Sequence, residues 1–199
     1  MNKRQKRGLV LLAVGVLLML SGLVMYVSRE QEDVAAGKTA AVLLQQLENK
    51  TSSVPVQPET DSQAPMDPVL PEKKYMGYAL LGSIRVPSVD LELPLLDDWG
   101  EKMLKAAPCR YIGSISGGDM IIMGHNYKSH FRPLHKVKVG AEVEIENTIG
   151  TVFRYRVAEI EILHRTEGEK LSSEEYPLTI FTCRPGGLER LILRCEAIE

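Results

Sequence analysis

The feature that most constrains this chain is an uncharged run of twenty residues, Gly8–Val27 (GLVLLAVGVLLMLSGLVMYV). At about 1.5 Å rise per residue, a helix of that length spans roughly 30 Å, the thickness of a bilayer's hydrocarbon core. A cleaved secretion signal has an apolar core of only about 7–15 residues and ends on a small-residue site. Here the run closes on Met25, Tyr26 and Val27, without an Ala-x-Ala pattern, so an uncleaved anchor is expected. Lys3, Arg4, Lys6 and Arg7 precede it, and no acid occurs before Glu30. Bases flanking a span stay in the cytoplasm. The expected topology is a cytoplasmic basic tail over 1–7, a single pass over 8–27, and the remainder on the outer face of the cell membrane.

Residues 28–74 hold no Phe, Trp or Tyr, and Pro55, Pro58, Pro65, Pro68 and Pro71 are mixed there with Glu, Asp, Ser and Gln. Such a stretch buries too little apolar surface to offset its ordering entropy. Before the prolines, Val34, Ala41, Val42, Leu44 and Leu47 mark one face of a short helix, weakened by Gly37. An extracytoplasmic Pro-rich stalk is expected over 28–74, and a folded domain over 75–199. That domain carries fifteen bases against eighteen acids, and the whole chain 24 against 26. A mildly acidic body without a basic cluster argues against a nucleic-acid-binding face. Three cysteines, an odd number, exclude a fully paired disulfide framework.

The domain reads as strands. Ile84–Pro87 and Leu91–Leu95 are short alternating runs whose prolines suit strand edges or ends. Trp99–Ala107 reads as a short helix closed by Pro108. Met120–Met123, Ala141–Ile145, Thr151–Leu163, Leu178–Thr182 and Arg190–Arg194 complete the series. About eight short strands with little helix predict a mainly antiparallel β-barrel or sandwich.

Two residues stand where chemistry can be done. Cys183 ends a strand before the loop Arg184-Pro185-Gly186-Gly187, with Arg184 and Arg190 supplying positive potential that favours thiolate. His125 follows another strand, in Met123-Gly124-His125-Asn126. A Cys and a His from distant segments are what a nucleophile and its acid/base partner require, although buried cysteines are commonly inert core residues.

Gly124-His125-Asn126, then Thr182-Cys183, then Arg190, resembles the sortase family of Gram-positive surface transpeptidases. Pro133–Gly140 is similar to the segment after that family's catalytic histidine, and LTIFTC followed by RLIL is similar to its closing strands. The N-terminal anchor and stalk fit the same layout. The resemblance implies an eight-stranded sortase-like β-barrel with short helices, in which Cys183 attacks the carbonyl of a Leu-Pro-x-Thr-Gly-like sorting signal and forms a thioester. His125 is then general acid and base, and Arg190 donates to substrate and oxyanion. The partners implied are sorting-signal-bearing surface proteins or pilins and an amine of a peptidoglycan precursor or pilin lysine. No metal or organic cofactor is required.

Thr182 is expected to contribute to the substrate site, Asn126 and Tyr127 to orient His125 or line the groove, and Cys109 to be a groove-lining or structural thiol. Cys195 is expected to face the interior if Arg190 faces the groove, because odd separation on a strand means opposite faces. Arg194 shares the Arg190 face and is expected to be a solvated or rim charge. His125, His130 and His135 recur every five residues, a spacing that fits no single face. Glu167, Glu169, Glu174 and Glu175 read as a solvated loop rather than a calcium site, which needs six to eight converging oxygens. The rival readings are another Cys-dependent cell-wall enzyme, such as an L,D-transpeptidase, and a catalytically silent surface-binding barrel. The first expects a Ser-x-Gly-Cys-type motif that Ile180–Cys183 lacks.

Overall fold

The computed structural model describes residues 3–51, 75–172 and 175–198. The proline cluster of the expected stalk and Glu174 lie outside the described residues. A single long helix, α1 (Lys3–Thr51), opens the chain. It contributes to two compact units, one ending at Ala35 and the other beginning at Ala36.

In the first unit Leu12, Leu17, Leu18, Met19 and Leu20 are all exposed. α1 is long and apolar enough to cross a membrane, and a helix apolar all round is compatible with a membrane anchor.

In the second unit, strands β1 (Leu80–Val86), β2 (Leu91–Leu96), β3 (Cys109–Ile112), β4 (Met120–Gly124), β5 (Glu142–Asn147), β6 (Val152–His164), β7 (Leu178–Cys183) and β8 (Glu189–Ala197) close into a barrel. The order is β1-β2-β3-β4-β7-β8-β6-β5. The barrel is mainly antiparallel, as expected, with two parallel pairs, β2–β3 and β4–β7. A short helix, α2 (Glu101–Ala106), joins β2 to β3, inside the stretch read as helix from Trp99–Ala107. β3 escaped the sequence reading: it is four residues long and meets β2 at one pair, Leu96↔Cys109. The strand carrying Pro94 is thereby unpaired along most of that edge, where a missing N–H costs nothing.

Period-2 alternation fills the barrel. Ile84, Val86, Ile122, Val143, Ile145, Val157, Ile180 and Leu193 belong to one buried cluster, as closure of a sheet with alternating side chains requires.

A stretch of α1 also belongs to this folded unit. Ala36, Ala40 and Leu43 are buried, at i, i+4 and i+7. Ala40 joins the barrel cluster, while Leu43 and Leu47 join a second one with Leu80, Leu96, Leu104 and Cys109. The face read from sequence is therefore rotated, for Val34 and Val42 are exposed. Small residues set the approach: a Cβ on Gly37 would lie 2.9 Å from Ser129 Cβ.

Candidate active site

Cross-strand register assembles the site. Gly124 of β4 pairs with Thr182 of β7 in parallel, so His125 and Cys183 are the next residues on neighbouring strand ends. Cys183 in turn pairs with Arg190 of β8. Neighbouring strands lie about 4.8 Å apart and paired residues share a face. Cys183 and Arg190 therefore stand side by side on the outer face of the barrel, with His125 at the adjacent strand end.

Local bonds fix this arrangement. Thr182 Oγ1 donates to the Gly124 carbonyl at 2.8 Å, bolting β7 to β4 one residue before both functional side chains. The Phe131 N–H donates to the His125 carbonyl at 3.1 Å, folding the 125–131 loop back on itself. Phe131 then inserts beneath Gly124, where a Cβ would come within 2.5 Å of its ring. Tyr127 lies against the His125 ring, with centroids 4.8 Å apart. Gly186 and Gly187 take left-handed φ values of 93° and 73°, which lets the β7–β8 connection turn tightly.

The expected residues do not all reach the groove. Cys183 is exposed, whereas Cys109 and Cys195 are buried. Cys109 is fully buried in the cluster under α2, its thiol donates to the Ala107 carbonyl at 3.4 Å, and burial pushes its pKa up to about 12. It does not line a groove. Cys195 faces the barrel interior, as strand parity requires, and burial likewise pushes it up to about 12. Thr182 is 1% exposed, and its side chain acts as a strut between strands. Arg184 is paired with Glu189 at 2.6 Å across the hairpin, so its charge is shared there and Arg190 is the guanidinium set beside Cys183.

The sequence reading gave no role beside Cys183 to three groups found near it, His135, Tyr111 and Trp99. His135 makes a backbone hydrogen bond with Cys183, yet its pKa is lowered, chiefly by desolvation, with Arg184 and Arg132 opposing the charged form. The other two extend an aromatic run across the face. The Arg190 guanidinium sits 5.4 Å over the Phe181 ring, Tyr111 meets Phe181 edge-on at 5.6 Å, and Trp99 tilts onto Tyr111 at 5.2 Å. Such offset and edge contacts suit the aromatic quadrupole. Arg110 holds the Trp99 turn through Asp97, donating to its carbonyl at 3.1 Å and pairing with its carboxylate at 2.6 Å.

Further along the same face, Ile112, Gly117, Gly118, Asp119, Ile121, Ser172, Tyr176 and Thr179 line a cavity of about 520 Å³. Two cavities of about 260 and 190 Å³ flank β1 and β5 elsewhere and hold none of these residues. Glu167 accepts the His164 N–H at 2.9 Å and pairs with Lys170 at 2.6 Å. Among the described residues no cluster of three or more Cys, His, Asp or Glu gathers metal-ligating groups, so His125, His130 and His135 form no such set.

A family model for the sortase domain matches residues 84–198. The chain belongs to the sortase family. Among solved structures, this sortase is similar to sortase C from Clostridium perfringens SM101, with 25% identity over 60% of this chain and 70% of that one, and a TM-score of 0.53. It shares its fold with Listeria monocytogenes sortase A, at 24% identity, coverage of 61% and 88%, and a TM-score of 0.54. The same holds for a Clostridium perfringens sortase D5 transpeptidase, at 19% identity, coverage of 82% and 98%, and a TM-score of 0.59. No curated protein sequence matches. A sortase C structure from Clostridium perfringens holds a C-terminal cell wall sorting motif.

Proposed function

We propose that this sortase is a membrane-anchored cysteine transpeptidase acting outside the cell, with Cys183 as nucleophile. The observation that carries the reading is the paired register that sets the exposed Cys183 between His125 and Arg190. The Cys183 thiolate attacks the carbonyl carbon of a Leu-Pro-x-Thr-Gly-like sorting signal. The developing oxyanion accepts from the Arg190 fork, a donor set that needs no reorganisation. The tetrahedral species collapses to a thioester as His125 gives a proton to the departing amine. The neutral imidazole then takes a proton from the incoming amine of a peptidoglycan precursor or pilin lysine. An amide forms, Cys183 leaves as thiolate, and one peptide bond has been exchanged for another without redox change. Asn126 and Tyr127 flank the histidine and hold its orientation.

Full-length protein in detergent, incubated with a sorting-peptide library with and without amine acceptors, tests this by mass spectrometry. An acyl adduct on Cys183 that clears on adding amine is expected, and no adduct in Cys183→Ala. Acylation elsewhere, or none, rejects the reading.

A further inference from the structure

Arg194 lies on β8 opposite Thr179 of β7, on the same face as Arg190. A solvated charge is expected there, yet the residue is 5% exposed. Its guanidinium reaches four acceptors. Nε donates to Glu161 Oε2 at 2.8 Å, and Nη1 donates to the Leu171 carbonyl at 2.6 Å and to Thr179 Oγ1 at 3.1 Å. Nη2 donates to the Lys170 carbonyl. Lys170 and Leu171 end the 3-10 turn Gly168–Leu171, whose last carbonyls have no partner inside the turn. A planar, permanently charged fork matches such a fan of oxygens, whereas an ammonium does not.

A buried guanidinium is costly unless it is paired and fully hydrogen-bonded. Ile192, two residues earlier on the same face, shows that this strand also accepts an apolar residue there. What distinguishes Arg194 is its hold on the connection from β6 to β7. With the turn held down, Leu171 packs among Phe181, Ile192, Leu163 and Ile121. Phe181 is the ring beneath Arg190. Just past the turn, Ser172 and Tyr176 line the cavity of about 520 Å³, and Thr179 both accepts from Arg194 and faces that cavity. Thr179 is four residues from Cys183 on β7, about 13 Å at roughly 3.3 Å per strand residue. An extended peptide with its scissile carbonyl at Cys183 therefore meets this wall about four residues away.

We propose that Arg194 is a positioning residue for the donor peptide: through the Lys170 and Leu171 carbonyls it fixes the groove wall that the peptide binds against. The proposal rests on the transpeptidase reading above. It assigns Arg194 to peptide binding and leaves the chemistry at Cys183 to other groups.

The test uses full-length protein in detergent and compares wild type with Arg194→Lys, Arg194→Ala and Glu161→Gln. For Arg194→Lys, KM for the donor peptide rises at least about tenfold while kcat stays within about threefold, as loss of uniform binding requires. Alkylation of Cys183 by iodoacetamide keeps its wild-type rate, and the amides of 168–172 lose hydrogen-exchange protection. Added guanidinium ion, far below denaturing concentration, lowers KM for Arg194→Ala and leaves wild type unchanged. Should Arg194→Ala not fold, Arg194→Lys and Glu161→Gln carry the same comparison. A fall in kcat at constant KM, or unchanged protection over 168–172, overturns the proposal. A wild-type protein that forms no adduct with any donor overturns the transpeptidase reading instead. The exchange comparison uses no substrate and then tests the hold on the turn separately.

Discussion

Three thiols in one protein answer to three different surroundings. Cys109 and Cys195 are fully buried, and desolvation pushes both pKa values up to about 12. Burial disfavours the charged form, so at pH 8 only about one part in ten thousand of either is thiolate. Cys183 alone is exposed. Iodoacetamide on the native protein is therefore expected to label Cys183, with Cys109 and Cys195 reacting only after denaturation; peptide mapping checks this. Native labelling of Cys109 that abolishes activity would show the nucleophile to be misassigned. Arg190 separates charge from geometry. Its guanidinium lies over the Phe181 ring at 5.4 Å, and Lys keeps the charge while losing both the stacking plane and the fork. Arg190→Lys is expected to lower kcat/KM at least about tenfold, a loss of the kind seen when one oxyanion donor is removed. Near-normal turnover would reduce its role to that of a nearby charge. The sequence exposed Cys183 and His125 because each sits at a strand end, Cys183 before a Pro-Gly-Gly loop and His125 after Gly124. Parity put Arg194 on the correct face but could not show its burial, since the loop folded over that face does not follow from parity.

At the level of elements, the parallel β4–β7 pair does what neither strand does alone. Its register brings two strand ends level, and the Thr182 hydroxyl on the Gly124 carbonyl holds them there. Val at position 182 fills the same space and leaves the Gly124 carbonyl without its donor, a loss of about 1–3 kcal/mol. Thr182→Val is expected to melt about 2–12 °C lower by calorimetry, at roughly 2–4 °C per kcal/mol, and to lose kcat as His125 and Cys183 drift apart. Thr182→Ser keeps the hydroxyl and should recover most of both; equal melting of Thr182→Val and wild type would remove the strut. The strands of this pair were legible because LTIFTC and MIIM are compact apolar runs. Their parallel pairing was not, because apolar runs carry no direction. The aromatic run was hidden for a related reason. Tyr111 lies on β3, four residues without clear alternation, and its neighbours Trp99 and Phe181 come from distant elements.

The whole molecule raises two questions, where the protein sits and where its folded unit begins. Four bases before the apolar run favour a cytoplasmic N-terminus. Protease added to cells stripped of their wall is expected to cut beyond the end of α1; full protection would reverse the topology. The second question turns on composition. Aromatic-free residues 28–74 read as stalk, and that rule passed over Ala36, Ala40 and Leu43, whose small or single apolar side chains fit a close approach rather than a broad apolar stripe. We take the folded unit to start at Ala36. Leu43 is completely buried, worth about 1.5–3 kcal/mol, and removing the helix also uncovers Leu80, Leu96 and Leu104 in the same cluster. A piece spanning 36–199 should therefore be about 3–5 kcal/mol more stable than one spanning 75–199. That corresponds to a melting point higher by about 10 °C. Leu43→Asp in the longer piece places an unpaired carboxylate among Leu80, Leu96 and Leu104, which should erase most of the difference. Calorimetry of the three proteins decides it: equal melting points for the two pieces would return the boundary to Tyr75 and leave the helix a spacer.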